Sequence, residues 1–144
     1  MTWSEPTEAE VASIVRTAKV VAVVGMKGDA ASHAPAHSVP ARMKSHGVRI
    51  IPVNPTLQEA LGVKALGSLA ELTEAPDVIQ VFRRPEYLAA LADEIVALPP
   101  DKRPKVVWMQ SGIASVPAAE KLEASGMRVV MDRCYGVDLV KYGA

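Results

Sequence analysis

The chain has 144 residues, 49% of them apolar, which is enough for one buried core and about what one domain needs. Sixteen Lys and Arg balance sixteen Asp and Glu, so no overall basic field holds a nucleic acid or an anionic membrane, and any anion has to be bound locally. No apolar run approaches the roughly 20 residues of a membrane span, and a lone Cys134 forms no internal disulfide.

In chain order, Met1 to Glu10 carries Glu5, Glu8 and Glu10 with neither a basic nor an apolar leader segment, so a cytoplasmic location is expected, with one domain over 1–144. Helical spacing runs from Glu8 to Ala18, with Val11, Ile14 and Val15 on one face. A first strand follows over Val20–Val24. The stretch 25–40, rich in Gly, Pro and Ala, reads as a ligand-binding or flexible loop that leads into a helix over Val39–His46, ended by Gly47. A second strand is expected over Arg49–Val53, then a small extra strand at Leu66 to Ser68 and one helical turn at Leu69 to Leu72. Beyond it come a strand over Asp77–Phe82, a helix over Glu86–Leu98 with Pro85 at its start, and a strand over Lys105–Met109. A helix over Pro117–Ser125, stopped by Gly126, and a strand over Met127–Met131 complete the pattern.

The strand runs are short, rich in β-branched residues and apolar almost throughout, as in a parallel sheet covered on both faces. Their alternation with helices predicts an α/β fold: a three-layer, doubly wound, Rossmann-like domain with a mostly parallel sheet of about five or six strands and right-handed crossovers. Open sheets of this kind bind ligands outside the carboxyl ends of their strands, which reduces the search to five short segments.

After the first strand, Gly25, Met26, Lys27 and Gly28 offer a tight turn whose backbone N–H groups suit a phosphate. The spacing is G-x-x-G rather than the dinucleotide fingerprint, and an ordinary turn is the alternative. After the second, Asn54 stands between Pro52 and Pro55 near where an NAD-binding domain carries Asp or Glu for the ribose, which argues against hydride chemistry. After the third, Phe82 reads as core or as a pocket wall, and Arg83 and Arg84 as phosphate ligands or a solvated pair. Gln110, Ser111 and Gly112 follow the fourth and offer neutral donors and acceptors. Asp132 and Arg133 follow the fifth and read as a structural ion pair. His33 and His37 lack a third ligand, so no metal site is expected, and Cys134 reads as a structural thiol. Neither a G-x-S-x-G elbow nor a Walker A sequence occurs, and without an acid, base and nucleophile set no catalytic residue is assigned.

In order, these segments read Val-Val-Gly, Pro-Ala-His-Ser-Val-Pro, Ile-Pro-Val-Asn-Pro, Val-Phe-Arg, Trp-Met-Gln-Ser-Gly and Met-Asp-Arg-Cys. From about Glu8 to Leu139 the chain resembles the small stand-alone bacterial CoA-binding proteins, which are similar to the N-terminal CoA-binding domain of the succinyl-CoA synthetase α subunit. The resemblance implies a domain that holds coenzyme A or an acyl-CoA across the carboxyl edge of its sheet. It places Gly25, Met26 and Lys27 near the phosphates, with His37, Val39, Pro40 and Arg42 around the start of the second helix. Val53, Asn54 and Pro55 would border the nucleotide, Phe82 and Arg83 would line the next wall, and Gln110, Ser111 and Gly112 would approach the pantetheine. Relatives often carry Ala-Ser or Ala-His after the first glycine and Arg before the loop proline, where this chain has Met26-Lys27 and Ala34. Two other readings stay open: an NAD(P)-dependent oxidoreductase, and an interaction subunit with a vestigial nucleotide pocket. A protein partner or a homodimer is compatible with all three.

Overall fold

Thr7 opens the first helix. The Glu10 backbone N–H donates to its hydroxyl at 3.1 Å while its own N–H donates to the Glu10 carboxylate at 3.2 Å, so two amides that the helix start leaves open are satisfied reciprocally. The helix that follows is α1 (Glu8–Thr17). The computed structural model to which it belongs describes residues 3–143, so the expected domain limits at 1 and 144 fall outside the described residues.

After α1 come β1 (Val20–Val24), α2 (Pro35–Ser45), β2 (Arg49–Val53), the hairpin strands β3 (Glu59–Ala60) and β4 (Val63–Lys64), and β5 (Val78–Val81). Then follow α3 (Leu88–Val96), β6 (Val106–Met109), α4 (Val116–Ala124), β7 (Arg128–Val130) and α5 (Tyr135–Tyr142). The main sheet has the order β2-β1-β5-β6-β7, and every neighbouring pair is parallel. This is the expected doubly wound, Rossmann-like α/β architecture.

Strand alternation assigns the two cores. Val21 and Val23 of β1 and Trp108 of β6 enter the layer beneath α1, α2 and α5, with Val11, Met43 and Leu139. Ala22, Val24, Val107 and Met109 enter the opposite layer, beneath Leu91 and Ile95 of α3 and Leu122 of α4. Each buried Val, Leu, Ile or Met among them contributes about 1.5–3 kcal/mol by leaving water. Trp108 packs on Tyr135 at 4.6 Å between ring centroids, and its indole N–H donates to the Arg133 carbonyl at 2.9 Å.

Strands β1 and β2 match their expected limits, and the other three are shorter by one or two residues. Helix α2 starts at Pro35 rather than Val39 and carries Pro40 inside it. Its end is as expected: Gly47 takes φ +90°, and the Val48 N–H reaches back to the Met43 carbonyl at 3.1 Å. Residues 85–87 form a 3-10 turn ahead of α3. The expected strand at Leu66 reduces to one parallel bridge with Val53, and the turn after Ser68 spans Leu69–Glu71. The β3–β4 hairpin was not expected, because two-residue strands around the turn at Leu61 and Gly62 are too short to show a period.

From β1 the chain crosses to β2 on one side, and from β5 it moves away on the other through β6 to β7. The strand order therefore reverses between β1 and β5. A crevice opens above the carboxyl ends of strands at such a point.

Candidate functional site

Gly25 turns the chain out of β1 with φ +79°, and a β-carbon there would stand 2.2 Å from the Phe82 carbonyl oxygen. Only glycine lets the exits of β1 and β5 pass so closely. The Gly25 N–H donates to the Val53 carbonyl and the Phe82 N–H to the Val24 carbonyl, both at 2.9 Å. Above this junction lies an open cleft of about 410 Å³. Lys27, Ala34, Pro35 and Ala36 form one side, Phe82, Arg83, Arg84 and Pro85 the other, and Ile113 closes one end.

The lining has no carboxylate. Lys27, Arg83 and Arg84 are exposed, and none of them joins an ion pair among the described residues. Ala34 supplies no side-chain cap to α2, so the positive end of that helix also faces the cleft. Three cations and a helix start suit an anion, while Phe82, Pro35, Pro85 and Ile113 suit a ring or a neutral chain.

The loop that carries Lys27 is tied on several sides. The Lys27 N–H donates to the Ala36 carbonyl at 3.1 Å, and the Asn54 side-chain amide donates to the Met26 carbonyl at 3.0 Å. The Asn54 side-chain oxygen accepts the Thr56 N–H at 3.0 Å and its hydroxyl at 2.9 Å, so this side chain ties the Met26 carbonyl to the turn after β2. The Met26 side chain is wholly buried in the core beside Met43. Asp29 Oδ1 accepts His37 Nε2–H at 2.7 Å and the Leu61 N–H at 3.1 Å. These bonds, that of His37 first, hold the Asp29 carboxyl below its usual range. Because an ionised carboxylate only accepts, Nε2 carries the proton, and Nδ1 of His37 is buried without a partner among the described residues.

Of the other expected positions, Val39 and Arg42 face α5, where a β-carbon on Gly136 would meet them at 3.4 and 3.7 Å. Pro40 is buried within α2, Val53 is buried, and Pro55 is exposed beyond it. Gln110 points into the core, where its Oε1 accepts Gln80 Nε2–H at 3.1 Å and the Tyr135 N–H at 3.3 Å. Ser111 and Gly112 are exposed beside Ile113, and the Gly112 N–H donates to Asp132 Oδ1 at 2.7 Å. The expected Asp132–Arg133 ion pair does not form. With φ +55°, Asp132 turns to the Gly112 loop, while Arg133 pairs with Asp138 and Glu8.

The structure therefore brings Lys27, Phe82 and Arg83 together at the cleft, over Gly25 and beside Ser111 and Gly112. Met26, His37, Pro40, Val53 and Gln110 lie in the supporting structure, with Asn54 as a tie. The sequence reading gives Arg84, beside Arg83, as a phosphate ligand or a solvated charge, and does not assign Ala34, Pro35, Ala36, Pro85 or Ile113 to the site; all six line the cleft. Their one available signal was adjacency to Arg83, to Gly112 and to the first turn of a helix. Among the described residues no group of three or more His, Cys, Asp or Glu could hold a metal ion, and no helix is long and apolar enough to cross a membrane.

A family model described as a CoA binding domain matches residues 19–140. An uncharacterized protein of Bacillus subtilis (strain 168), YneT, is 40% identical over 134 residues, which cover 92% of this chain and 93% of that protein. A solved structure from Thermus thermophilus superposes with a TM-score of 0.86 at 36% identity, covering 95% of this chain and 99% of that one. An acetyl-coenzyme A synthetase 1 of Ca. Korarchaeum cryptofilum gives a TM-score of 0.64 at 17% identity, over 83% of this chain and 27% of the synthetase chain. At that identity the last likeness is one of fold.

Proposed function

Because the chain belongs to the CoA binding domain family, we propose that it binds coenzyme A or an acyl-CoA at the crevice between β1 and β5, as a binding module of one domain over 1–144. The cleft is the observation that carries this reading. It combines unpaired cations, an uncapped helix start and an apolar wall, as a ligand with phosphates at one end and a neutral chain at the other requires. Lys27, Arg83 and Arg84 hold phosphate groups, and Phe82 with Ile113 packs against the apolar part. Asn54 and Pro55 border the nucleotide, and Ser111 and Gly112 meet the pantetheine amides. When bound, coenzyme A supplies a thiol that carries acyl groups. The chain's own residues bind and orient it, and no reaction is assigned to them.

Calorimetric titration of the purified chain with CoA, with NAD and ATP as controls, tests the reading once native mass spectrometry has shown the starting protein free of carried ligand. CoA-selective binding is expected, with a thermal shift that reflects about 2.7 kcal/mol of stabilisation when ligand stands at roughly 100 times Kd. Absence of CoA binding at millimolar ligand, or a preference for NAD, overturns it.

A further inference from the structure

We propose that Pro40 is a positioning residue for the cleft: by withholding an amide from α2, it frees the Ala36 carbonyl to hold the backbone of Lys27. The inference rests on the reading that this cleft takes CoA. In a helix over Pro35–Ser45, the Ala36 carbonyl would ordinarily accept from the residue four positions on. That residue is Pro40, which has no N–H, and a proline ring crowds the carbonyl four residues before it. A buried carbonyl left open in this way is unfavourable unless another donor reaches it. The Lys27 N–H does so at 3.1 Å.

The bond connects the two parts of one cleft wall, since Lys27 and Ala36 both line it and Pro40 does not. It is one of two ties on consecutive residues, the other running from Asn54 to the Met26 carbonyl at 3.0 Å. Between them the backbone at Lys27 is fixed against the start of α2 before any ligand arrives. The Lys27 ammonium therefore extends from a fixed root, beside the positive end of the helix, and less ordering remains to oppose binding. Proline is the least favourable residue for a helix interior. Its presence at position 40 is explained by the carbonyl it releases.

A role in packing alone makes the opposite prediction. Truncating a buried proline that only fills space would loosen the core and leave the Lys27 amide bonded. Restoring an N–H at position 40 draws the Ala36 carbonyl back to the helix and sets the Lys27 amide free.

Pro40→Ala and Pro40→Val both restore the donor, and the valine keeps more of the ring's volume, so the pair separates the latch from packing. The measurements are hydrogen exchange at the Lys27 amide, the Tm, and titration with CoA. Both variants are expected to exchange the Lys27 amide at least about tenfold faster and to bind CoA about threefold to tenfold more weakly, the worth of one net hydrogen bond. The Tm of the valine variant is expected to equal or exceed that of the wild type. Unchanged exchange at Lys27, or CoA binding by the valine variant within about twofold of wild type, overturns the latch. A wild-type chain that takes no CoA overturns the proposed function instead, and the exchange comparison still decides whether Pro40 frees the bond.

Discussion

Arginine is used in two ways in this molecule. At the junction of β7, α1 and α5, Arg133 donates to Asp138 at 2.8 and 2.9 Å and to Glu8 at 2.8 and 3.1 Å. Nearby, Arg128 bridges Glu10 at 3.0 Å and Glu123 at 2.6 Å. At the cleft, Arg83 and Arg84 stand with Lys27 and face no carboxylate. In a protein of zero formal charge, Arg128 and Arg133 are thus matched to carboxylates around β7, while the cations above the β1–β5 crevice are left unmatched among the described residues. The paired arginines hold elements together. The unpaired ones create a local positive potential, which is where an anion finds attraction in a neutral chain.

The largest effect that separates these uses is expected from Arg133→Ala. Asp138 is 4% exposed, and the substitution leaves its carboxylate buried without its ion-pair partner. Removing one partner of a buried pair typically destabilises by about 3 kcal/mol or more. The pairing also pushes the Arg133 guanidinium further up from its ordinary range, through Asp138 first and Glu8 second, so its charge is permanent. Urea unfolding should show the loss, while CoA affinity measured well below the Tm should stay within about twofold of wild type. A comparable loss of affinity would mean that the two regions are coupled.

Arg83→Ala should do the reverse. An exposed side chain outside any ion pair contributes within about 0.5 kcal/mol to stability, so the urea midpoint should hardly move. CoA binding should weaken about tenfold, as expected for a lost charge-assisted hydrogen bond. If Arg83 meets the 3′-phosphate, dephospho-CoA should be affected less. Equal losses for both ligands would move the contact to the diphosphate, and no loss for either would return Arg83 to the role of a solvated surface charge.

The same contrast marks what could be read from the sequence. Strands β1 and β2 were legible to the residue, β1 as an unbroken, almost wholly buried apolar run and β2 from Ile50, Ile51 and Val53. The start of α2 was not. Pro40 reads locally as part of a first helical turn, as in the helix expected from Val39, and only a tertiary bond, from Lys27 to the Ala36 carbonyl, shows why the helix runs through it from Pro35. Among the site residues, the cationic Arg83 and the turn at Gly25 could be placed from residue type and position at a strand end. Gln110 was read as facing a ligand, yet alternation continued from Trp108 puts it on the core side, where it joins Gln80 and Tyr135. Ile113 and Pro35 lie at the cleft through loop geometry, which no short-range pattern encodes.

The smallest expected effect concerns pH, at Glu8. Hydrogen bonds from Arg133 first and Tyr142 second hold its carboxyl at about 2, below the ordinary value of 4.5. A carboxyl depressed on folding adds stability that is complete above its unfolded pKa and is lost as pH falls through the folded one. The contribution is therefore whole at neutral pH, declines below about 4.5 and is gone below about 2. Glu8 is exposed, and solvent screens the pair, so the change is small beside that of Arg133→Ala. Urea midpoints for wild type and Glu8→Gln, compared from pH 7 to pH 2, should differ at the neutral end and converge at the acid end. Affinity for CoA at neutral pH should be the same in both proteins, since Glu8 belongs to the paired side of the molecule. Midpoints that differ by a constant amount across the whole range would mean that Glu8 acts through packing and not through its charge.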